Sequence, residues 1–305
     1  MKRKVVQQGA ATMMISLPSK WVKEKQLKKG QEVNIEEDSG KLVVSIEGLA
    51  EKKTKEISLK GMSESPIRLL LTNAYRSGYD ILKVEFDEGQ LKTINDVLER
   101  FMIGMEIIKK EKNSCIIESI TEPSAEQFEA ILGKIFMNLS ALIEITENRI
   151  NGEKTSEDYE KITHKIHQYD NFCRRVIIKE HQNKSYLYWS FLSILGHSAR
   201  ELLHLNEMLD KEKVKISPET KKIIQEIKSL SDMIAMAYQK KDSSLIEKVH
   251  RSEKEIEKKT ESLLETKKGK EVIVMHYLAS ASRNMYLASS PLFTLLLEHV
   301  KSEKI

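Results

Sequence analysis

The chain has 305 residues, 40% hydrophobic and 31% charged, with only 12 Gly and 5 Pro, a balance that fits a helix-rich globular protein of two or three domains. No apolar run reaches the ~18 residues of a membrane span, and the N-terminus opens on charge rather than on an apolar stretch. Membrane insertion and a secretory leader are therefore not expected. The isolated Cys115 and Cys173 form no zinc or redox motif and read as reduced thiols, so a cytoplasmic protein is expected.

The formal net charge of +4 is unevenly placed. Residues 1–30 carry eight cations (Lys2, Arg3, Lys4, Lys20, Lys23, Lys25, Lys28, Lys29) against the single Glu24, seven net positive charges, so the remaining 275 residues are slightly acidic. A concentrated basic end on an otherwise balanced chain is the electrostatic footprint of a polyanion binder. Lys4–Gln7 and Met13–Leu17 read as short strands around a turn at Gly9. Ser19–Leu27 reads as a short helix with Ser19 as its cap and Gly30 beyond its end. Glu32–Glu36 and Lys41–Ile46 read as a hairpin around Asp38-Ser39-Gly40.

These elements, in this order, resemble the AbrB/SpoVT family of DNA-binding modules. The resemblance is carried by Gly9, Met14-Ile15-Ser16-Leu17-Pro18, Trp21-Val22, Leu27-Lys28-Lys29-Gly30-Gln31-Glu32-Val33 and Asp38-Ser39-Gly40-Lys41-Leu42. It covers residues 1–47 and implies a swapped-hairpin β-barrel made by two chains, with basic residues facing double-stranded DNA. Size points the same way, because so short a segment buries too little surface for a core of its own. The alternative is a dimerisation plug whose lysines are merely solvated.

Residues 49–121 predict a small α/β unit. Lys55–Leu59 and Asp80–Phe86 are strand-like. Pro66–Ser77 and Leu91–Gly104 have helical apolar spacing. Met105–Ile108 and Cys115–Ile120 pair across a turn at Lys112-Asn113-Ser114. No phosphate-cradling glycine loop is present, and the unit reads as a rigid spacer packed on the N-terminal module.

From Pro123 onward the chain reads as six amphipathic helices. Their stripes run through Phe128–Ile143, Tyr159–Val176, Leu192–Leu209, Ile223–Ile234, Ile246–Leu263 and Met275–Leu292. Ser217-Pro218-Glu219 is a strong helix start: a capping hydroxyl, proline at the first position and an acid in the first turn. An internal repeat is visible at an offset of 83. Ile166-His167-Gln168-Tyr169-Asp170 matches Val249-His250-Arg251-Ser252-Glu253. Leu195-Gly196-His197-Ser198-Ala199-Arg200-Glu201-Leu202 matches Leu278-Ala279-Ser280-Ala281-Ser282-Arg283-Asn284-Met285. The half divides into two copies of a three-helix unit, 122–212 and 213–305, and the fold class expected for the whole is α+β, predominantly α.

A duplicated three-helix bundle resembles the PhoU family of phosphate-uptake regulators, and an AbrB-like module ahead of it resembles the archaeal proteins of that type. The family implies paired Glu/Asp-x-x-x-Asp carboxylates that bind metal, a spacing that puts both on one helix face. Here Asp170-Asn-Phe-Cys-Arg174 has a cation at the second position, and no paired acids lie near Arg200 or Arg283. Glu253 and Glu257 are left as weak candidates for a divalent metal, with a solvated face of a Lys/Glu-rich helix as the alternative. No other cofactor is expected. His167 with Asp170, and His250 with Glu253, can face each other on a helix surface, with Arg200 and Arg283 as partners for the acids. These six form either a structural polar contact inherited by both copies or an anion site, since arginine suits phosphate geometry. The small residues Gly196–Ala199 and Ala279–Ser282 read as a close helix approach.

The function these readings imply is a homodimeric DNA-binding transcription regulator linked to phosphate homeostasis, with Lys2, Arg3, Lys4, Lys20 and Lys23 on the phosphates of the duplex. The alternative is a signalling adaptor whose helical half docks on a phosphate transporter or sensor protein. An enzyme is not expected, for the eight His include no His-Glu-x-x-His, and neither a Gly-x-Ser-x-Gly elbow nor a P-loop occurs.

Overall fold

The structure, a computed structural model, describes residues 2–38, 40–46, 52–121, 124–153, 155–180 and 184–297. Ser39 of the expected N-terminal turn, the expected boundary between an N-terminal module of residues 1–48 and the α/β unit of 49–121, Pro123 and the last residues of the second repeat lie outside the described residues. The fold is α+β and predominantly helical. The chain divides into two compact units, Met1–Lys52 and Lys53–Ile305.

In the N-terminal unit β1 (Val6–Gln8) pairs antiparallel with β2 (Thr12–Met14), and the turn between them needs the left-handed backbone that Gly9 supplies at φ +72°. Helix α1 spans Ser19–Glu24. Pro18, not Ser19, stands at its N-cap, and no side chain caps it. Ser19 already has helical geometry, whereas a capping hydroxyl must come from an extended residue. The helix also stops three residues before Leu27. Gln26 turns left-handed at φ +51°, and the Gln26 and Leu27 amides donate back to the Lys23 and Val22 carbonyls, a Schellman termination. The strands β3 (Asn34–Asp38) and β4 (Lys41–Ser45) form the expected hairpin, with Ile35 opposite Val44. None of the described residues of this unit is buried.

The second unit begins with a four-stranded mixed sheet in the order β5-β6-β8-β7. Its strands are β5 (Thr54–Ser58), β6 (Ile81–Glu85), β7 (Met105–Lys110) and β8 (Ser114–Ser119). The parallel pair β5 and β6 is joined through α2 (Glu64–Arg76), and α3 (Gln90–Phe101) connects β6 to the β7–β8 hairpin. Leu82, Val84 and Ile117 point from the sheet into a core with Ile67, Leu71 and Tyr75 of α2 and Ile94 of α3. The alternate residues Lys83 and Glu85 are exposed, so only one sheet face is covered by helices.

Six long helices follow: α4 (Ala125–Asn151), α5 (Tyr159–Lys179), α6 (Ser185–Lys211), α7 (Pro218–Lys240), α8 (Leu245–Thr266) and α9 (Lys270–Leu296). Ser217 caps α7, its hydroxyl accepting from the Thr220 amide at 3.5 Å, with Pro218 at the first helical position. The helices pair as a duplicated set. α4 lies on α7, α6 runs against α9 in the most extensive contact of the molecule, and α5 and α8 each pack on the other helices of their own repeat. One continuous core joins both repeats, from Phe128 through Leu195 and Leu278 to Leu292. The small residues Ser198, Ala199, Ala281 and Ser282 are buried, whereas a side chain at Gly196 would meet open space.

The sheet unit is locked to α5 by a fully buried cation. Arg175 (1% exposed) donates to the backbone carbonyls of Tyr75 (3.1 Å) and Tyr79 (2.7 Å) and to Asp80 Oδ1 (2.6 Å), with the Tyr75 ring beneath its guanidinium. Lys179 Nζ reaches the same Oδ1 at 2.6 Å, and the Lys53 amide donates to Oδ2 at 3.1 Å. The end of α3 is held too. Its orphan carbonyls at Glu99 and Phe101 accept from Gln168 (2.7 Å) and Asn171 (2.9 Å) of α5.

Candidate functional site

The N-terminal candidates are all on the surface. Lys2, Arg3, Lys4, Lys20 and Lys23 are exposed, and Lys20 makes an i,i+4 contact of 3.7 Å with Glu24. Such a pair, with both side chains mostly in water, costs little to exchange for a phosphate contact. Beside these cations stand nine exposed large apolar side chains: Val5, Val6, Met13, Met14, Ile15, Leu17, Ile35, Leu42 and Val43. So short a unit does not cover these side chains by itself.

In the helical half the repeat brings together two related polar sites. In the second copy, Glu253 on α8 is 2% exposed and accepts from Arg283 Nη1 of α9 at 2.7 Å. Arg283 also lies 3.7 Å from Glu257, which Lys254 contacts at 2.6 Å. The Lys254 hydrogen bond, with the charges of Lys254 and Arg283, holds the Glu257 carboxyl below its usual range. Glu253 is therefore buried and paired, not part of a solvated face. The two carboxylates share a guanidinium, and among the described residues no group of three or more His, Cys, Asp or Glu is placed to hold a metal ion. His250 turns away from Glu253, its Nδ1 2.9 Å from the Tyr286 hydroxyl.

In the first copy the pairing differs. Asp170, 5% exposed, is met by Arg174 from its own helix, whose Nε donates to both carboxylate oxygens at 2.9 and 3.0 Å. Arg76 of α2 approaches it at 3.7 Å while donating from Nε to Asn171 Oδ1 at 2.6 Å. Arg200 does not close on Asp170 as Arg283 closes on Glu253. Its Nη1 lies 3.5 Å from His197 Nδ1, although its charge still acts on Asp170, His167 and Arg76. Arg174 takes the acid because the i,i+4 spacing puts the two side chains on one face. Half-buried His167 feels burial first and then the charges of Arg200, Arg76, His164 and Arg68, which push its pKa down to about 3, so the ring is neutral at neutral pH.

Arg76, Asn171 and Arg175 had no sequence signal as site residues. Arg76 belongs to another element, some 95 residues from its partner in the chain, and only the docking of the sheet unit on α5 brings it there. A shallow concavity on the open sheet face, lined by Glu56, Lys83, Glu85, Lys109 and Glu111, is a weaker candidate. Its charges pair off as Lys83–Glu56 (3.1 Å), Lys60–Glu85 (2.8 Å) and Lys109–Glu111 (2.9 Å), leaving no demand for a ligand. Among the described residues no helix is long and apolar enough to cross a membrane. Comparison of the chain with protein-family models, with curated proteins and with solved structures finds no match.

Proposed function

We propose that this chain is a cytoplasmic, homodimeric DNA-binding transcription regulator linked to phosphate uptake or phosphate homeostasis, with no catalytic activity of its own. The observation that carries this reading is the N-terminal unit, which has no buried residue among those described while exposing nine large apolar side chains beside its cations. At about 25 cal/mol per Å² of apolar surface removed from water, such a face favours association strongly. A second copy of the same unit is the partner that the resemblance to swapped-hairpin modules supplies. Each copy concentrates seven net positive charges in residues 1–30, though acids in the following hairpin region reduce the unit to +3, and two copies would set two such basic ends on one assembly, suited to the phosphates of a duplex. The phosphate side of the reading is supported by the duplicated plan of α4–α6 and α7–α9. The alternative, an adaptor whose N-terminal unit only dimerises while the helical half docks on a transporter or sensor protein, draws on exposed Met137 and Tyr186 in that half.

One experiment separates the two: fluorescence anisotropy with a short duplex across a salt series, comparing the full chain with Lys2→Ala/Arg3→Ala/Lys4→Ala. The regulator reading expects salt-dependent binding whose log–log slope becomes shallower by about 0.9 for each phosphate that the variant no longer neutralises. Absence of binding at low salt by a folded dimer would overturn it in favour of the adaptor.

A further inference from the structure

We propose that Arg76 of α2 and Arg174 of α5, which meet at Asp170, together with Arg200 of the adjacent α6, form a binding site for a small phosphate-type oxyanion. This deepens the regulator reading, and rests on it for the role of a signal; binding itself rests on the geometry alone.

The argument starts from charge and donor count. Three guanidinia present fifteen N–H donors, and the one carboxylate that any of them contacts among the described residues is that of Asp170. Even with Asp170 ionised, two positive charges are left over. The satisfied contacts are few: Arg174 Nε on Asp170, Arg76 Nε on Asn171 and its Nη1 on Asn73 Oδ1 at 3.5 Å, and long approaches of 3.7 Å from Arg76 to Asp170 and 3.5 Å from Arg200 to His197. Arg174 is the decisive member. Its side chain is 7% exposed and lies over the Trp189 ring, 4.8 Å from the centroid, and its two terminal amino groups, unbonded among the described residues, are not buried atoms but open to solvent. Donors held at the surface of a largely buried guanidinium, beside a second guanidinium, are placed to meet an anion. A tetrahedral oxyanion can accept from several guanidinia at once and cancel the excess charge.

The second repeat serves as an internal control. The residues 83 positions on from Asp170, Arg174 and Arg200 are Glu253, Glu257 and Arg283. There two carboxylates meet Arg283 and Lys254, and the charges cancel. One arginine in place of a glutamate, together with Arg76 from the sheet unit, turns a balanced pair into a cluster with excess positive charge in the first copy only. Its place at the joint between the sheet unit and the bundle means that an anion there would bridge the two.

The test uses the full chain in a phosphate-free buffer at constant ionic strength. A Trp21→Phe background leaves Trp189, against Arg174, as the sole tryptophan reporter. Inorganic phosphate, glycerol phosphate and chloride are titrated separately, with calorimetry in parallel. Saturable binding of phosphate, of the phosphomonoester or of both supports the site, and which of them binds identifies the source of the anion. Arg200→Gln, at an exposed position that folding tolerates, is expected to weaken binding about tenfold or more, as loss of a charge-assisted hydrogen bond implies. The exposed Arg251→Gln of the second copy is expected to leave it unchanged. No saturable response to either phosphate species, an equal response to chloride, or equal affinity in Arg200→Gln with its fold intact by circular dichroism would each overturn the proposal. DNA is absent from the assay, so failure here is distinct from failure of the DNA-binding reading.

Discussion

Replacing Asp80 with Asn removes one charge from the joint between sheet unit and bundle while keeping the shape of the side chain. Asp80 is 4% exposed, and Arg175 beside it is the largest of the fully buried side chains. Breaking a buried pair by removing one partner costs about 3–5 kcal/mol, most of it the penalty of an uncompensated charge. Arg175 retains the Tyr75 and Tyr79 carbonyls, and Lys179, 22% exposed, can turn to water, so the lower end, about 3 kcal/mol, is expected. For a unit of this size that is roughly 6–12 °C of melting temperature. Asp80→Asn/Arg175→Met removes both charges and is expected to recover most of the loss, since a buried pair exchanged for apolar volume is near neutral. The pH dependence has a fixed sign. Burial pushes the Asp80 carboxyl up, but the Lys179 hydrogen bond, the Lys53 amide and the charges of Lys179 and Arg175 together outweigh it and hold the group below its ordinary value. Its contribution is therefore complete above the unfolded value of about 3.9 and lost as pH falls through the lower folded value. Urea unfolding of wild type, single and double variants at neutral and acid pH measures this. A single variant within about 0.5 kcal/mol of wild type at neutral pH would refute the reasoning, as would a double variant no better than the single.

Arg283→Gln strands a carboxylate that is 2% exposed, and is expected to cost about 2–3 kcal/mol in urea unfolding, while Glu257→Gln at the half-exposed position beside it costs under about 0.5 kcal/mol. Equal effects from the two would show that Glu253 is solvated in solution. Cys115 and Cys173 are free and buried, and burial raises the first thiol to about 11 and the second well above its usual value. Neither is expected to react with a thiol reagent until the chain unfolds, and stoichiometric labelling of the native protein within seconds would contradict their placement.

The helical half was legible because burial imposes a period. A helix that hides one face must repeat apolar residues every three to four positions, so the stripes through Leu132, Ile166, Leu195, Ile227, Val249 and Leu278 reported the elements directly, and all six lie in the core. The repeat showed in the second and third helices of each copy but not in the first. The connection between α4 and α5 covers residues 152–158, and that between α7 and α8 only 241–244, so the offset of 83 breaks there. In the N-terminal unit turn residues located both hairpins, though β1 begins at Val6 rather than Lys4 and β2 ends at Met14 rather than Leu17; the early end of α1 was not legible. It depends on Gln26 adopting a left-handed backbone that nothing in its type announces.

The sites divide by the same logic. Contacts within a helix or between repeat-related positions leave a trace in spacing, which is why Glu253 with Arg283 could be paired in advance. The first copy defeated that inference because the repeat itself had changed. Arg174 stands where the second copy has Glu257, and a cation four residues after an acid on one helix captures it before a residue on the next helix can. That capture releases Arg200 from the role Arg283 keeps, while Arg76 arrives from an element outside the duplication altogether. A duplicated fold thus keeps its apolar positions nearly fixed, because both copies fill one core, while its polar positions are free to diverge. Where one copy balances its charges and the other does not, the imbalance is where a difference in function between the copies is to be sought.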